Sequence, residues 1–159
     1  MIDQLAIETE SVWASVRSLL IAFGLALPIG WHRERGRRRM GLRTFPLVAL
    51  ASCGYVLIGV SITGESPDSL ARLLQGLITG IGFIGGGAIL KSKKEVVGAS
   101  TAAAIWATGA VGAAVALARF ELALSIALMT FLVFLILSPV GERIEPSSEA
   151  KAGGDRSKR

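Results

Sequence analysis

The sequence predicts an all-α fold, a polytopic bundle of five transmembrane helices. Hydrophobic residues make up 52% of the 159-residue chain. Charged residues make up only 18%, whereas a typical soluble domain carries about 25%. The charges are also clustered, which leaves five long runs almost without charge. This composition argues against a cytosolic enzyme, a disordered protein and a disulfide-rich scaffold, and it is typical of a membrane protein.

Each apolar run is close to the roughly 20 residues that a helix needs to cross a hydrocarbon core. The predicted spans are 12–31, 44–63, 73–90, 99–118 and 122–140. In the first span, Trp13 and Trp31 lie about 27 Å apart along a helix, which is the separation expected of two interfacial aromatic belts. Its one charged residue, Arg17, lies near the start, where a long side chain reaches the interface. We expect residues 1–140 to form one transmembrane domain and residues 141–159 to form a flexible tail.

Lysine and arginine are divided unequally between the two ends of these spans. The connector 31–43 holds six of them, the connector 91–98 three and the segment 141–159 five, whereas the opposite loops hold only Arg72 and Arg119. Positively charged loops remain in the cytoplasm. The split of fourteen to two therefore predicts an N-terminus outside and a C-terminus in the cytoplasm.

The net charge of +5 would favour a nucleic-acid partner in a soluble protein. In a membrane protein the same charge flanks the spans, so we expect the lipid bilayer and no nucleic acid as partner. Cys53 and His32 are the only cysteine and histidine, too few for a zinc site. The loops also offer no Ser-His-Asp set, no paired carboxylates and no phosphate-binding loop. We expect no catalysis, no metal and no cofactor.

Glycine is concentrated in the third span and small residues in the fourth. Gly76 with Gly80, and Gly82 with Gly86, form two GxxxG pairs, which let helices approach closely in lipid. We expect the two spans to pack at the centre of the bundle, with Gly82 and Gly86 against the fourth. The alternative is an interrupted helix near residues 85–87, because consecutive glycines weaken a helix by about 1 kcal/mol each and broken helices form transporter binding sites.

The segment 33–44 is the densest cluster of charge in the chain. Its arginines serve at least to orient the spans and to attract anionic lipid. Glu34 and Gly41 within it also favour a defined turn or a docked partner. In that hypothesis Glu34 pairs with Arg43 across the turn that Gly41 permits.

Three segments stand in order along the chain: RERGRRRMGLRT at 33–44, LLQGLITGIGFIGGGAIL at 73–90 and GASTAAAIWATGAVGAA at 98–114. Together they resemble the MgtC/SapB family of bacterial inner-membrane proteins. Ser100 replaces the first threonine of the usual Thr-Thr pair, and the second loop reads Pro-Asp-Ser where many relatives have Asp-Pro-Ser-Arg. With a 19-residue tail, the chain is similar to the short form of the family, which has no soluble C-terminal domain.

The motifs supply the candidate site residues. Candidates for a partner or functional motif are Arg33, Glu34, Arg35, Gly41, Arg43 and Thr44. Candidates for helix packing or a cavity are Gln75, Gly76, Gly80, Gly82, Gly85, Gly86, Gly87, Ser100, Thr101 and Trp106.

The resemblance implies a role in growth at low magnesium and in virulence, exerted by binding and restraining the F-type ATP synthase. The alternative partner is a second copy of the chain. We therefore expect a non-enzymatic inner-membrane protein that regulates a membrane partner or magnesium-related ion homeostasis. The alternative is a small transporter or channel for Mg²⁺ or a related solute. The absence of carboxylates from the centres of the spans favours regulation, because ion pathways usually contain such groups.

Overall fold

Five helices dominate the computed structural model, which describes residues 2–34, 41–64, 66–91 and 96–144. They are α1 (Ile2–Glu34), α2 (Thr44–Thr63), α3 (Pro67–Gly87), α4 (Ala99–Ala116) and α5 (Phe120–Ile144). All five are long and apolar enough to cross a membrane. The prediction of five long apolar helices is confirmed. Helices form here because an apolar segment in lipid must satisfy its backbone hydrogen bonds internally.

The start of α3 lies six residues before the predicted start at 73. Ser66 has an extended backbone, and Pro67 follows it at the first helical position, where its fixed φ suits the helix. Asp68 in the first turn interacts favourably with the helix dipole. The first turns of α3 are polar and therefore do not belong to the hydrophobic run from which the start at 73 was predicted.

The glycine triplet 85–87 ends α3 and does not interrupt it. The helix runs unbroken from Pro67 to Gly87. The Ala88 N–H then donates to the Gly85 carbonyl at 3.0 Å. The alternative of an interrupted third helix is therefore wrong.

A short antiparallel pair of strands connects α3 to α4. Strand β1 (Leu90–Lys91) pairs with β2 (Val96–Val97), with Leu90 opposite Val97. The predicted third span included Leu90, which lies in this hairpin instead. Strands of two residues are too short to produce a periodic pattern.

Helix α5 is longer than its predicted span. It continues through Pro139 and ends at Ile144, four residues beyond the predicted end at 140. Segment 141–159 was expected to be a flexible tail, but its first four residues are helical. The remainder, 145–159, lies outside the described residues.

Helix α4 is at the centre of the bundle and contacts the other four helices. Two glycines permit its close packing. A Cβ atom on Gly112 would lie 2.2 Å from the carbonyl oxygen of Ala49 in α2, and one on Gly109 would lie 2.2 Å from the Ile81 side chain in α3. Small residues at such positions let backbones approach directly.

Helix α3 is peripheral, so the expectation of a central third span is wrong. Its buried residues are Ile81 and Gly85, and a Cβ on Gly85 would lie 3.3 Å from the Ala102 carbonyl oxygen in α4. Gly82 and Gly86 are exposed, and a Cβ on either would meet nothing within 4 Å. Gly82 follows the buried Ile81, and Gly86 follows the buried Gly85. One position along a helix is a rotation of about 100° around its axis, so both glycines point away from the packed face.

Candidate functional site

Arg33, in the last turn of α1, joins three helices at one end of the bundle. Its guanidinium donates a hydrogen bond to the Thr101 hydroxyl of α4. The guanidinium carbon also lies 4.8 Å from the ring centroid of Phe134 in α5, a cation–π arrangement. We call this end of the bundle, where α1 terminates, α4 begins and α5 passes with Phe134, the basic end. The described residues in and beside the two basic connectors, 31–34, 41–43 and 96–98, lie at this end.

His32 completes the contacts between α1 and α5. Its ring centroid lies 5.8 Å from that of Phe131 in an edge-on arrangement, and 6.5 Å from that of Phe134 in a stacked one. Both neighbours lie on the same face of α5, because three residues separate them. None of these three rings was among the predicted site residues. The pair of phenylalanines within the fifth run was the available signal.

The chain re-enters the bundle by direct backbone contact with α1. A Cβ on Gly41 would lie 2.7 Å from the Gly30 carbonyl oxygen and 2.9 Å from the Arg33 Cβ. A Cβ on Gly30 would lie 2.9 Å from the Gly41 carbonyl oxygen. Contacts this short leave no room for a side chain. The structure thus shows a close-packing role for Gly41, and its partner Gly30 was not among the predicted residues.

Glu34 fixes the same turn in a different way from the one expected. Its Oε2 accepts a hydrogen bond from the Leu42 backbone N–H at 3.2 Å. In the described part of the chain the ion pair found is Arg119 with Glu121. The predicted pairing of Glu34 with Arg43 is thus wrong, because the carboxylate is satisfied by the backbone one residue earlier.

Two other candidates in the segment 33–44, Arg43 and Thr44, contribute less to these contacts. Arg43 is exposed and precedes α2 without a capping hydrogen bond from its side chain. Thr44 is half-buried at the first position of α2. Arg35 lies outside the described residues.

The start of α4 depends on Gly98. Its φ of 101° lies in the left-handed region, and a Cβ there would be 2.1 Å from the Ala88 carbonyl oxygen. Only glycine meets both conditions. This turn places Thr101 inside the bundle, 6% exposed, while Ser100 remains exposed. Of the two neighbouring hydroxyls, only that of Thr101 reaches Arg33.

The remaining candidates do not join this cluster. The Thr79 hydroxyl donates to the Gln75 carbonyl of its own helix at 2.8 Å, and both residues lie on the exposed face of α3. Gly76, Gly80 and Gly87 also have open space at the Cβ position. Trp106 is 52% exposed on α4.

The structure thus brings together Arg33, Glu34, Gly41 and Thr101 from two distant motifs. A half-buried guanidinium with a hydroxyl and an aromatic face can hold helices together or present a cation to a carboxylate or phosphate. Across the described residues, no group of three His, Cys, Asp or Glu side chains is placed to hold a metal ion.

Comparisons with known proteins agree on one family. The family model described as the MgtC family matches residues 19–143. Protein SrpB of Synechococcus elongatus is 39% identical over 132 residues, covering 76% of this chain and 71% of SrpB. Protein MgtC of Salmonella typhimurium is 33% identical over 129 residues, covering 81% of this chain and 54% of MgtC. The chain therefore spans about half the length of that MgtC protein. No solved structure matches.

Proposed function

Because the chain belongs to the MgtC family, we propose that it is a non-enzymatic protein of the bacterial inner membrane that regulates a membrane partner and, through it, magnesium-related ion homeostasis. The observation that carries this proposal is the contact of Arg33 with Thr101 and Phe134. It joins the C-terminal end of α1 and the N-terminal end of α4 to the middle of α5, next to the two described ends of the most basic segment of the sequence. The proposed site is thus a docking surface at the basic end, facing the cytoplasm.

The arginine-rich segment between α1 and α2 has both of its ends held. Glu34 binds the Leu42 N–H on one side, and Gly41 lies against Gly30. The sequence between them contains four arginines. Arginine binds carboxylate and phosphate groups through two parallel hydrogen bonds. Fixed ends reduce the conformational entropy that a partner must remove on binding, which supports docking in addition to orientation.

The interior of the bundle favours this function over transport. Spans 12–31, 44–63, 73–90, 99–118 and 122–140 contain no Asp or Glu. A divalent cation prefers several hard oxygen ligands. The tight approach of α4 to α2 at Gly112 also leaves no room for an aqueous path between those two helices. The alternative remains a transporter or channel for Mg²⁺ or a related solute.

The family resemblance favours the F-type ATP synthase as the partner to test first, with self-association as the second. Co-purification after mild detergent extraction, with the ATP hydrolysis rate measured in vesicles, tests the first. Arg33→Gln should weaken both signals, and Arg119→Gln, which alters an exposed ion pair at the opposite end, should change neither.

Ion flux separates regulation from transport. Purified protein in proteoliposomes should give no Mg²⁺ flux above that of empty liposomes. Flux that is abolished by Arg33→Gln would assign the protein to the transporter class. Loss of low-magnesium growth in a knockout, restored by the wild-type chain and not by Arg33→Gln, would support regulation only if flux is absent.

A further inference from the structure

A groove of about 600 Å³ lies between α2 and α3, and its lining includes none of the residues that contact Arg33 at the basic end. Its lining is apolar except for a few polar groups. Residues that shape its rim are Ala51, Tyr55, Arg72, Gly76, Gly80 and Ile84. All six are exposed, so the groove opens on the outer surface of the bundle, where lipid surrounds a membrane protein.

Two glycines create much of this space. A Cβ on Gly76 or on Gly80 would meet nothing within 4 Å. The packing of α3 in the bundle therefore does not require glycine at either position. Glycine inside a helix costs about 1 kcal/mol relative to alanine, and no contact in the described part of the chain offsets this cost.

The length of the groove corresponds to one leaflet of a bilayer. Arg72 and Ile84 lie twelve residues apart on α3, which is about 18 Å along a helix. Half of the hydrocarbon core measures about 15 Å. The volume is small for a protein helix, because a cylinder of about 10 Å diameter occupies roughly 1,400 Å³ over that length. An extended acyl chain is a better fit.

Arg72 supplies a positive charge at one end of the groove. It lies in the second turn of α3 and is exposed. No carboxylate pairs with it among the residues described, where the ion pair found is between Arg119 and Glu121. A guanidinium at the membrane edge binds a phosphate through two hydrogen bonds. An apolar groove that ends at such a cation matches the two parts of a phospholipid.

We propose that the groove between α2 and α3 holds one acyl chain of an anionic phospholipid whose phosphate is bound by Arg72. The site is separate from the basic end and does not depend on the function proposed above. Bound lipid covers the glycine face of α3 and fills the gap between the two helices. The protein then has a defined lipid as a structural component.

Photolabelling tests the proposal on the full chain in nanodiscs. The probe is a phosphatidylglycerol with a diazirine in its acyl chain, and mass spectrometry locates the labelled residues. Labelling should concentrate on the groove segments of α2 and α3. A diacylglycerol with the same acyl chain and no phosphate should label the groove about tenfold less, the factor expected for loss of a charge-assisted hydrogen bond.

Matched variants distinguish the groove from the general lipid surface. Gly76→Leu combined with Gly80→Leu should fill the groove and reduce its labelling about tenfold, and Arg72→Gln should do the same by removing the charge. Gly82→Leu is the control, because Gly82 is equally open on the same helix but does not line the groove. If circular dichroism shows that the double variant does not fold, the labelling of Arg72→Gln alone tests the proposal.

Three outcomes would overturn the proposal. One is labelling that is spread evenly over the lipid-facing sides of all helices. Another is an equal loss of groove labelling in Gly82→Leu. The third is cross-linking between two copies of the chain at Tyr55, which would show a protein helix in the groove.

Discussion

The guanidinium of Arg33 donates a hydrogen bond to the hydroxyl of Thr101, although 68 residues separate them in the chain. Both belong to short motifs that are recognisable in the sequence, and the fold brings the motifs into contact. The aromatic ring of Phe134 covers the same guanidinium. A single cation thereby couples the C-terminal end of α1, the N-terminal end of α4 and the middle of α5.

Thr101→Val tests this coupling with little change in side-chain shape. The valine has no acceptor, so a half-buried guanidinium loses the hydrogen bond to residue 101, and the free energy of unfolding should fall by about 1–3 kcal/mol. Thermal unfolding in detergent measures the change. The control is Ser100→Ala, which alters the exposed neighbouring hydroxyl and should shift stability by less than about 0.5 kcal/mol. Equal effects of the two substitutions would disprove the coupling.

Gly98→Ala should severely destabilise the start of α4. A left-handed φ and a Cβ 2.1 Å from the Ala88 oxygen act together, so we expect a loss of at least about 2 kcal/mol. The yield of folded protein and its midpoint of thermal unfolding measure it. Gly86→Ala is the matched control, since open space surrounds that position and a helical alanine is favoured by up to about 1 kcal/mol. A tolerated Gly98→Ala would contradict the described turn.

Leucine substitutions distinguish packed glycines from open ones. Gly112→Leu should force α4 away from the Ala49 carbonyl of α2 and cost about 3 kcal/mol or prevent folding. Gly82→Leu should leave detergent stability unchanged, because its side chain would enter open space. Thermal unfolding of the two variants in parallel gives the comparison. The reverse order of stabilities would place α3, and not α4, at the centre.

Glu34→Ala should loosen the connector between α1 and α2. The carboxylate no longer accepts the Leu42 N–H, so trypsin should cleave the arginine-rich segment severalfold faster in vesicles that expose the basic end. Arg43→Lys keeps a trypsin site and removes no described contact, so its cleavage rate should match the wild type. Faster cleavage of Arg43→Lys would restore the hypothesis of an ion pair with Glu34.

Reporter fusions test the orientation in the membrane. The charge distribution predicts external signals at Ser66 and Arg119, and cytoplasmic signals at Arg38, Lys93 and Arg159. Alkaline phosphatase and green fluorescent protein give opposite readouts at each position. An internal signal at Ser66 would contradict both the orientation and the alternation of the five spans.

The sequence predicted the helices well and their ends poorly. Charge-free runs are sufficient to locate helices in lipid, because the backbone has no other hydrogen-bonding partner there. Helix ends depend on local groups instead. Ser66 and Pro67 start α3 in a polar stretch, and α5 continues through Pro139, which was expected to lie at its end.

The sequence predicted several residues of the site but not which of them contact each other. Motifs identified Arg33, Gly41 and Thr101, and the structure uses all three. The pairing of Arg33 with Thr101 is a long-range contact that no local pattern specifies. Likewise, spacing identified Gly82 and Gly86 as a GxxxG pair, but spacing alone does not determine which face of α3 meets the bundle. Gly85, which lies between them in the sequence, is the glycine of α3 that packs against α4.

The uneven burial of the helices has a mechanical consequence. Eleven residues of α4 are buried, against two of α3, and Arg33 links α1 to Thr101 of α4 and to Phe134 of α5. Helix α3 packs against α2 and α4 with only these two buried residues. Tilting α3 breaks few contacts, so its amide protons should exchange with solvent at a lower free energy than those of α4. Shape changes in this protein would then centre on tilting of α3 relative to α2 and α4.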